Sequence, residues 1–90
     1  MTPETTPEVD RTLRAVLVDV LGLSEERVAA FTDATGLFGA LPELDSMTVA
    51  GLLTELEDRL GIHIDDDEVD GEMLETFGAL RTFAANKALV

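Results

Sequence analysis

The sequence predicts an all-α domain, a bundle of three main helices with one or two short helices. Three stretches carry apolar residues at helical spacing, and no segment of four or more residues shows the alternation and β-branched content of a strand. The chain has 90 residues, of which 46% are hydrophobic. That content supplies one modest core, so we expect a single domain held together by packing.

The first helix is predicted to begin near Val9 and to end at Gly22. Residues 1–8 hold two prolines and three threonines, a composition typical of a flexible leader, so we place the domain at residues 9–89. The apolar positions that repeat at helical spacing are Val9, Leu13, Val16, Leu17 and Val20.

A short second helix is predicted over residues 24–31, because Ser24 followed by Glu25 and Glu26 is a helix-start signal. The loop that follows is long for a domain of this size. Long ordered loops are often functional, which directs attention to the residues at its far end.

The central helix has a well-specified beginning at Asp45 and Ser46. The Asp45 carboxylate can cap the free backbone amides, and Leu44 can pack on Val49 as a hydrophobic staple. At roughly 100° per residue, one side of the helix is apolar and is predicted to face the core. That side consists of Val49, Leu52, Leu53, Leu56 and Leu60. The opposite side holds Met47, Gly51, Thr54 and Asp58, which exposes a methionine beside Ser46.

The last third of the chain is predicted to hold an acidic connector and a final helix. Six acids lie between Asp65 and Glu72, a segment too polar to pack. Residues 72–77 are predicted to form a short helix, and the last amphipathic helix follows it. Its apolar positions are Phe77, Leu80, Ala84 and Ala88, with Phe83 on the flank.

The composition excludes several classes of function. The formal charge of -13 repels both nucleic acids and anionic membranes, and it favours partners with basic patches. Four Phe and no Trp or Tyr leave little for stacking bases. With no cysteine, disulfides and zinc-thiolate sites are excluded. No stretch has the length of a membrane span or the pattern of a signal peptide, so we expect a cytoplasmic protein. We also expect it to be a monomer.

Ser46 is the residue most suited to chemistry, as a substrate and not as a catalyst. The first turn of a helix favours a nearby anion, so a phosphodiester attached there would be stabilised. A catalytic serine needs an adjacent base, yet the one histidine, His63, lies about five helical turns away in sequence. The glycines of a nucleophile elbow are also missing, since Leu44 and Thr48 stand in their places. An esterase is therefore the weakest interpretation.

The run Leu44-Asp45-Ser46-Met47, opening a helix that ends in the residues from Leu56 to Ile62, resembles the acyl and peptidyl carrier protein family. The likeness extends from about Val9 to Ala88. It implies a four-helix bundle whose serine, here Ser46, receives 4'-phosphopantetheine from coenzyme A through a separate magnesium-dependent phosphopantetheinyl transferase. Asp45 and Met47 complete the attachment motif. The chain would then be a non-catalytic carrier of an acyl or aminoacyl thioester.

The resemblance also implies that partner enzymes bind the helix after the serine, with their Lys and Arg meeting its acids. Besides the transferase, these partners are acyl- or aminoacyl-activating ligases or synthases. The partner-binding candidates are Met47, Gly51, Thr54, Glu57 and Asp58. Housekeeping fatty-acid carriers tend to have an acid in place of Gly51 and an apolar residue in place of Thr54. The difference favours a specialised pathway.

Two alternatives stay open from the residues alone. The chain can instead be a small acidic helical adaptor or a calcium-responsive module without covalent modification. Asp66, Glu68, Asp70 and Gly71 match positions of a calcium loop, but position twelve is Phe77 where glutamate is required. We expect weak, nonspecific screening by divalent cations there, and no ligand role for the lone His63.

Several apolar residues have two possible roles that the sequence does not separate. They belong to the core, or they line a cleft for an acyl chain. These residues are Leu52, Leu56, Ile64, Leu74 and Leu80.

Overall fold

A computed structural model describes residues 5–88 and confirms the all-α bundle. Its elements are α1 (Thr5–Leu21), α2 (Glu25–Ala29), α3 (Ser46–Leu60), a short 3-10 helix (Asp66–Glu68) and α4 (Phe77–Ala88). Helix α1 packs against α2, α3 and α4. None of the helices within residues 5–88 is long and apolar enough to span a membrane.

One main core lies between α1, α3 and α4 and extends under the loops. Its fully buried side chains include Leu13 and Leu17 of α1, Leu52 and Leu56 of α3, and Phe77 at the start of α4. The staple pair is present in this cluster, with Leu44 buried and Val49 half-buried against it. The predicted core side of α3 is therefore confirmed.

Helix α1 begins earlier than the apolar spacing predicted. It starts at Thr5, so residues 5–8 of the predicted leader are helical, and residues 1–4 lie outside the described residues. Pro7 is compatible with this earlier start, because proline is tolerated in the first turn of a helix, where its missing N–H would lack a partner in any case. The division into a leader and a domain at residues 9–89 stays a prediction.

The predicted short helix at residues 72–77 is wrong, because its backbone is used in other contacts. The carbonyls of Leu74 and Glu75 accept hydrogen bonds from the N–H groups of Phe38 (2.9 Å) and Leu37 (2.8 Å). The second short helix lies earlier instead, at Asp66–Glu68, where Asp65 and Glu68 form a capping box. Residues 71–75 form turns.

The long loop between α2 and α3 is held against the segment before α4. Gly36 and Thr76 form an antiparallel bridge. The N–H of Phe77 donates to the Thr35 carbonyl (2.8 Å), and that of Gly78 donates to the Asp33 carbonyl (3.0 Å). Three loop leucines are buried in the same core, which fixes the path of the chain towards Ser46; they are Leu37, Leu41 and Leu44.

Candidate functional site

Ser46 is the first residue of α3, and its side chain is exposed. Asp45 precedes it in an extended conformation and caps the helix through one carboxylate oxygen. That oxygen accepts hydrogen bonds from the N–H groups of Met47 (3.0 Å) and Thr48 (2.9 Å). The cap predicted from the sequence is therefore present, and it presents the Ser46 hydroxyl to solvent at the amino end of the helix.

Thr48 completes the cap by a reciprocal hydrogen bond. Its hydroxyl oxygen accepts from the Asp45 N–H at 2.8 Å, so each residue satisfies a backbone donor of the other. The hydrogen bond from the Thr48 N–H, with smaller contributions from the Thr48 hydroxyl and the Met47 N–H, holds the pKa of Asp45 below its ordinary value. Asp45 is thus ionised near neutral pH beside the positive end of the helix dipole.

An open depression of about 490 Å³ begins at Ser46 and extends over the loop. Its lining is mostly apolar and consists of Phe38, Gly39, Ala40, Leu41, Pro42, Leu44, Asp45 and Ser46. Phe38 is 43% exposed and lines this depression together with Ser46. Met47, the residue after Ser46, is 84% exposed. Sequence reasoning found Met47 but missed Phe38. The available signal was an aromatic residue beside Gly39 in a stretch without charges, residues 34–42 of the loop.

The structure distributes the predicted partner-binding residues along α3. Met47, Gly51, Thr54 and Asp58 are exposed, as the helical wheel predicted. Glu57 is half-buried and has a local role, because its Oε2 accepts a hydrogen bond from the Ile64 N–H at 2.7 Å. The same oxygen lies 3.7 Å from Nδ1 of His63. Glu57 therefore fastens the chain after Gly61, which ends α3 in a left-handed conformation with φ of 65°.

The five candidate cleft residues are all part of the packed interior. Leu52, Leu56 and Leu80 are 0% exposed, Leu74 is 4% and Ile64 is 8% exposed. In this structure they act as core residues, and the open apolar depression lies on the other side of Ser46, towards the loop.

In the described part of the chain, the one histidine lies far from Ser46. His63 lies beyond the opposite end of α3, about 20 Å from Ser46 along the helix axis at about 1.5 Å per residue. Its Nε2 is 2.7 Å from Oδ1 of Asp65, and its side chain is 81% exposed. Within residues 5–88, His63 is thus too far from the Ser46 hydroxyl to act as its base.

Two of the three acids that matched a calcium loop, Glu68 and Asp70, are engaged in other contacts. Both carboxylate oxygens of Glu68 lie 2.8 Å from Nζ of Lys87, and this contact holds the pKa of Glu68 below its ordinary value. Asp70 accepts a hydrogen bond from the Met73 N–H. Within residues 5–88, no group of three or more acidic or histidine side chains is arranged to hold a metal ion.

Comparison with known proteins identifies the class of this site. The family model of the phosphopantetheine attachment site matches residues 11–83. The solution structure of a holo acyl carrier protein from Nitrosomonas europaea is 38% identical in sequence and superposes with a TM-score of 0.80. The match covers 91% of this chain and 96% of that one. The similarity thus extends over nearly the whole fold.

The cofactor of this chain is a covalently attached 4'-phosphopantetheine. The residues present fit such a group, since an exposed hydroxyl stands in the first turn of a capped helix and opens onto a depression with room for a flexible chain. Carrier proteins of this kind interact with a phosphopantetheinyl transferase and with biosynthetic enzymes. The chain belongs to the acyl carrier protein family of phosphopantetheine-binding proteins.

Proposed function

We propose that Ser46 is the attachment residue and that the chain carries an acyl or aminoacyl group between enzymes. A phosphopantetheinyl transferase transfers the phosphopantetheinyl group of coenzyme A to Ser46. The Ser46 hydroxyl oxygen forms a bond to phosphorus, the pyrophosphate bond of coenzyme A breaks, adenosine 3',5'-bisphosphate leaves, and the hydroxyl proton is released. When bound, the group supplies a terminal thiol that holds the cargo as a thioester. The chain contributes position and charge only, and it catalyses no step.

The observation that carries the proposal is the exposed Ser46 hydroxyl at the capped amino end of α3. Negative charge is favoured at the amino end of a helix by the aligned peptide dipoles, typically by about 0.3–1 kcal/mol at exposed positions. A phosphodiester on Ser46 gains from this field. The Asp45 cap keeps the first turn formed, so the arm has a fixed point of departure.

Partner enzymes are proposed to dock on the exposed side of α3. The candidates are Met47, Gly51, Thr54, Glu57 and Asp58. Asp58 is exposed near the carboxyl end of the helix, where a basic group can reach it. Glu57 is less available, because one of its carboxylate oxygens already accepts a hydrogen bond from the Ile64 N–H. Acyl- or aminoacyl-activating ligases and synthases with basic patches are the expected partners. Gly51 and Thr54 favour a specialised pathway over primary fatty-acid synthesis.

Intact-protein mass spectrometry tests the attachment residue. The apo protein is incubated with coenzyme A, magnesium and a broad-specificity transferase, and we expect one added phosphopantetheine. The variant Ser46→Ala should gain none. A matched control exists because the only other serine, Ser24, also caps a helix and accepts a hydrogen bond from the Arg27 N–H. Ser24→Ala should be modified like the wild type, and modification of Ser46→Ala would refute the proposal.

A further inference from the structure

The depression that begins at Ser46 runs over the loop between α2 and α3 and reaches Phe38. Its exposed lining on the loop consists of Phe38, Gly39, Ala40 and Pro42. Its volume of about 490 Å³ lies within the range of about 300–1,000 Å³ that is typical of small-molecule sites. We call residues 38–42 the loop seat.

The backbone of the loop seat offers polar groups beside its apolar side chains. The N–H of Gly39 and the carbonyls of Gly39 and Ala40 form no hydrogen bond within residues 5–88. Gly39 has a φ of 91°, and a Cβ built on it would meet no atom within 4 Å beyond its chain neighbours. A ligand can therefore approach these peptide groups closely. Small-molecule sites typically combine apolar walls with a few backbone groups of this kind.

The interior between α3 and α4 is closed by comparison. Leu52 and Leu56 of α3 and Leu80 of α4 are fully buried in the main core. A chain inserted among them would have to displace side chains that are already close-packed. The loop seat needs no such rearrangement, because it is open to solvent next to Ser46.

We propose that the loop seat holds the 4'-phosphopantetheine arm folded back from Ser46. Gly39 and Ala40 pair with the amides of the arm through their free peptide groups. The Phe38 ring packs against the sulfur end of the arm and the first atoms of the cargo, a contact that sulfur and aromatic rings favour. The inference rests on the proposed attachment at Ser46, since the arm starts there.

The surroundings of Phe38 also limit the class of cargo. Phe38 lines a second depression together with the exposed acids Asp70, Glu72 and Glu75. A free carboxylate on the cargo would meet like charges at this point, whereas an uncharged acyl group or an ammonium group would not. The loop seat therefore fits an acyl or aminoacyl group that carries no carboxylate.

Isotope-filtered NMR of the holo protein tests the position of the arm. Labelled apo protein receives an unlabelled arm from coenzyme A, and its mass confirms the loading. We expect nuclear Overhauser effects from the arm to the Phe38 ring and to Gly39, and shifts of the Gly39 and Ala40 amide signals between apo and holo protein. Effects to the methyl groups of Leu52 or Leu80 instead would show that the arm enters the interior and would overturn the inference.

The reactivity of the arm thiol tests the role of Phe38. Each holo protein is loaded to completion and alkylated with iodoacetamide. Phe38→Ala should react faster than the wild type by roughly two- to tenfold, the factor that a sulfur–aromatic contact typically supplies. Met47→Ala is the matched control, because it removes an exposed apolar side chain beside Ser46 that does not line the depression. Equal rates in all three proteins contradict the seat.

The cargo class is tested with three matched groups. Propionyl, alanyl and malonyl groups are joined to the arm by a stable amide in place of the thioester, and each arm is loaded onto labelled protein. The propionyl and alanyl groups should keep their contacts with Phe38, whereas the malonyl group should lose them. Equal contacts for all three would refute the limit on the cargo. These outcomes leave the proposed function standing, since every sample is loaded at Ser46; a wild type that gains no arm removes both.

Discussion

At the scale of single residues, Asp10 joins three parts of the fold. Its carboxylate accepts hydrogen bonds from Arg14, on the same helix, and from Arg81 of α4. Both guanidinium groups lie over the Phe77 ring, at 4.6 Å and 5.6 Å from its centroid. Arg81 also pairs with Asp33 of the long loop. One aspartate thus connects α1, α4 and, through Arg81, the loop that leads to Ser46.

We predict that Asp10→Asn lowers the free energy of unfolding by about 1.5–3 kcal/mol at pH 7, the usual range for hydrogen bonds to charged groups. Burial raises the pKa of Asp10, but the hydrogen bonds and charges of Arg14 and Arg81 outweigh it and bring the pKa below its ordinary value. The stabilisation is therefore fully present above about pH 4, the pKa of an aspartate in the unfolded chain. It is lost as the pH falls through the lower pKa that Asp10 has in the folded protein.

Urea unfolding of both proteins at a series of pH values measures this effect. The gap between wild type and Asp10→Asn should be full at neutral pH and should shrink in acid. Asp58→Asn is the control, since Asp58 is exposed and forms no ion pair within residues 5–88. A gap that keeps its size in acid would contradict the assignment.

At the scale of elements, replacing a helical glycine by alanine should have opposite effects on stability at Gly78 and at Gly51. A Cβ placed on Gly78 would lie 2.8 Å from Cβ and 2.9 Å from the carbonyl oxygen of Asp33. A Cβ on Gly51 would meet only Cγ1 of Val20, at an ordinary 3.7 Å. Gly78 therefore lets the long loop approach α4, whereas Gly51 has no such contact within the described chain.

We predict that Gly78→Ala costs about 1–3 kcal/mol, as overpacking typically does, because the Asp33 backbone must move. Gly51→Ala should instead stabilise the protein by up to about 1 kcal/mol, since alanine is the better helix former. Denaturant unfolding gives both values, and amide exchange should show weaker protection near Asp33 only in Gly78→Ala. If Gly51→Ala also destabilised the fold, the space beside Val20 would be tighter than the structure has it.

The elements that the sequence predicted well are those defined by neighbouring residues. The start of α3 follows from the Asp45 side chain and the apolar spacing behind it, and α2 follows from the Ser24 cap. For the same reason Ser46 and Met47 could be placed on the surface beforehand. Local hydrogen bonds and helical periodicity both depend on a few consecutive residues, so the sequence alone is enough to predict them.

The features that escaped prediction depend on contacts between distant residues. The segment at residues 72–77 has an adequate helical composition, but its carbonyls pair with Leu37 and Phe38 of a loop far away in sequence. The exposure of Phe38 follows from that pairing, which turns Leu37 inwards and leaves its neighbour outside. Helical periodicity therefore could not predict the exposure of Phe38, since tertiary contacts override local preference.

At the scale of the whole molecule, acids exceed the bases available to pair with them. The chain has nineteen acids and six basic side chains. Five of those basic side chains already form ion pairs with acids within residues 5–88: Arg14, Arg27, Arg59, Arg81 and Lys87. The remaining negative charge opposes the compact state by self-repulsion. Added salt weakens both the ion pairs and the repulsion, and the excess of acids makes relief of repulsion the larger effect.

We therefore predict that the melting temperature rises as NaCl increases from 10 mM to 300 mM. A gain of about 1 kcal/mol would raise it by about 4–8 °C for a domain of this size. Calcium and magnesium at equal ionic strength should stabilise the fold to the same extent, because they would screen the acidic segment at residues 65–72 without a built site. Calorimetry should show no stoichiometric binding. A rise specific to calcium, with saturation at one or two ions, would contradict simple screening and support a calcium-responsive module instead.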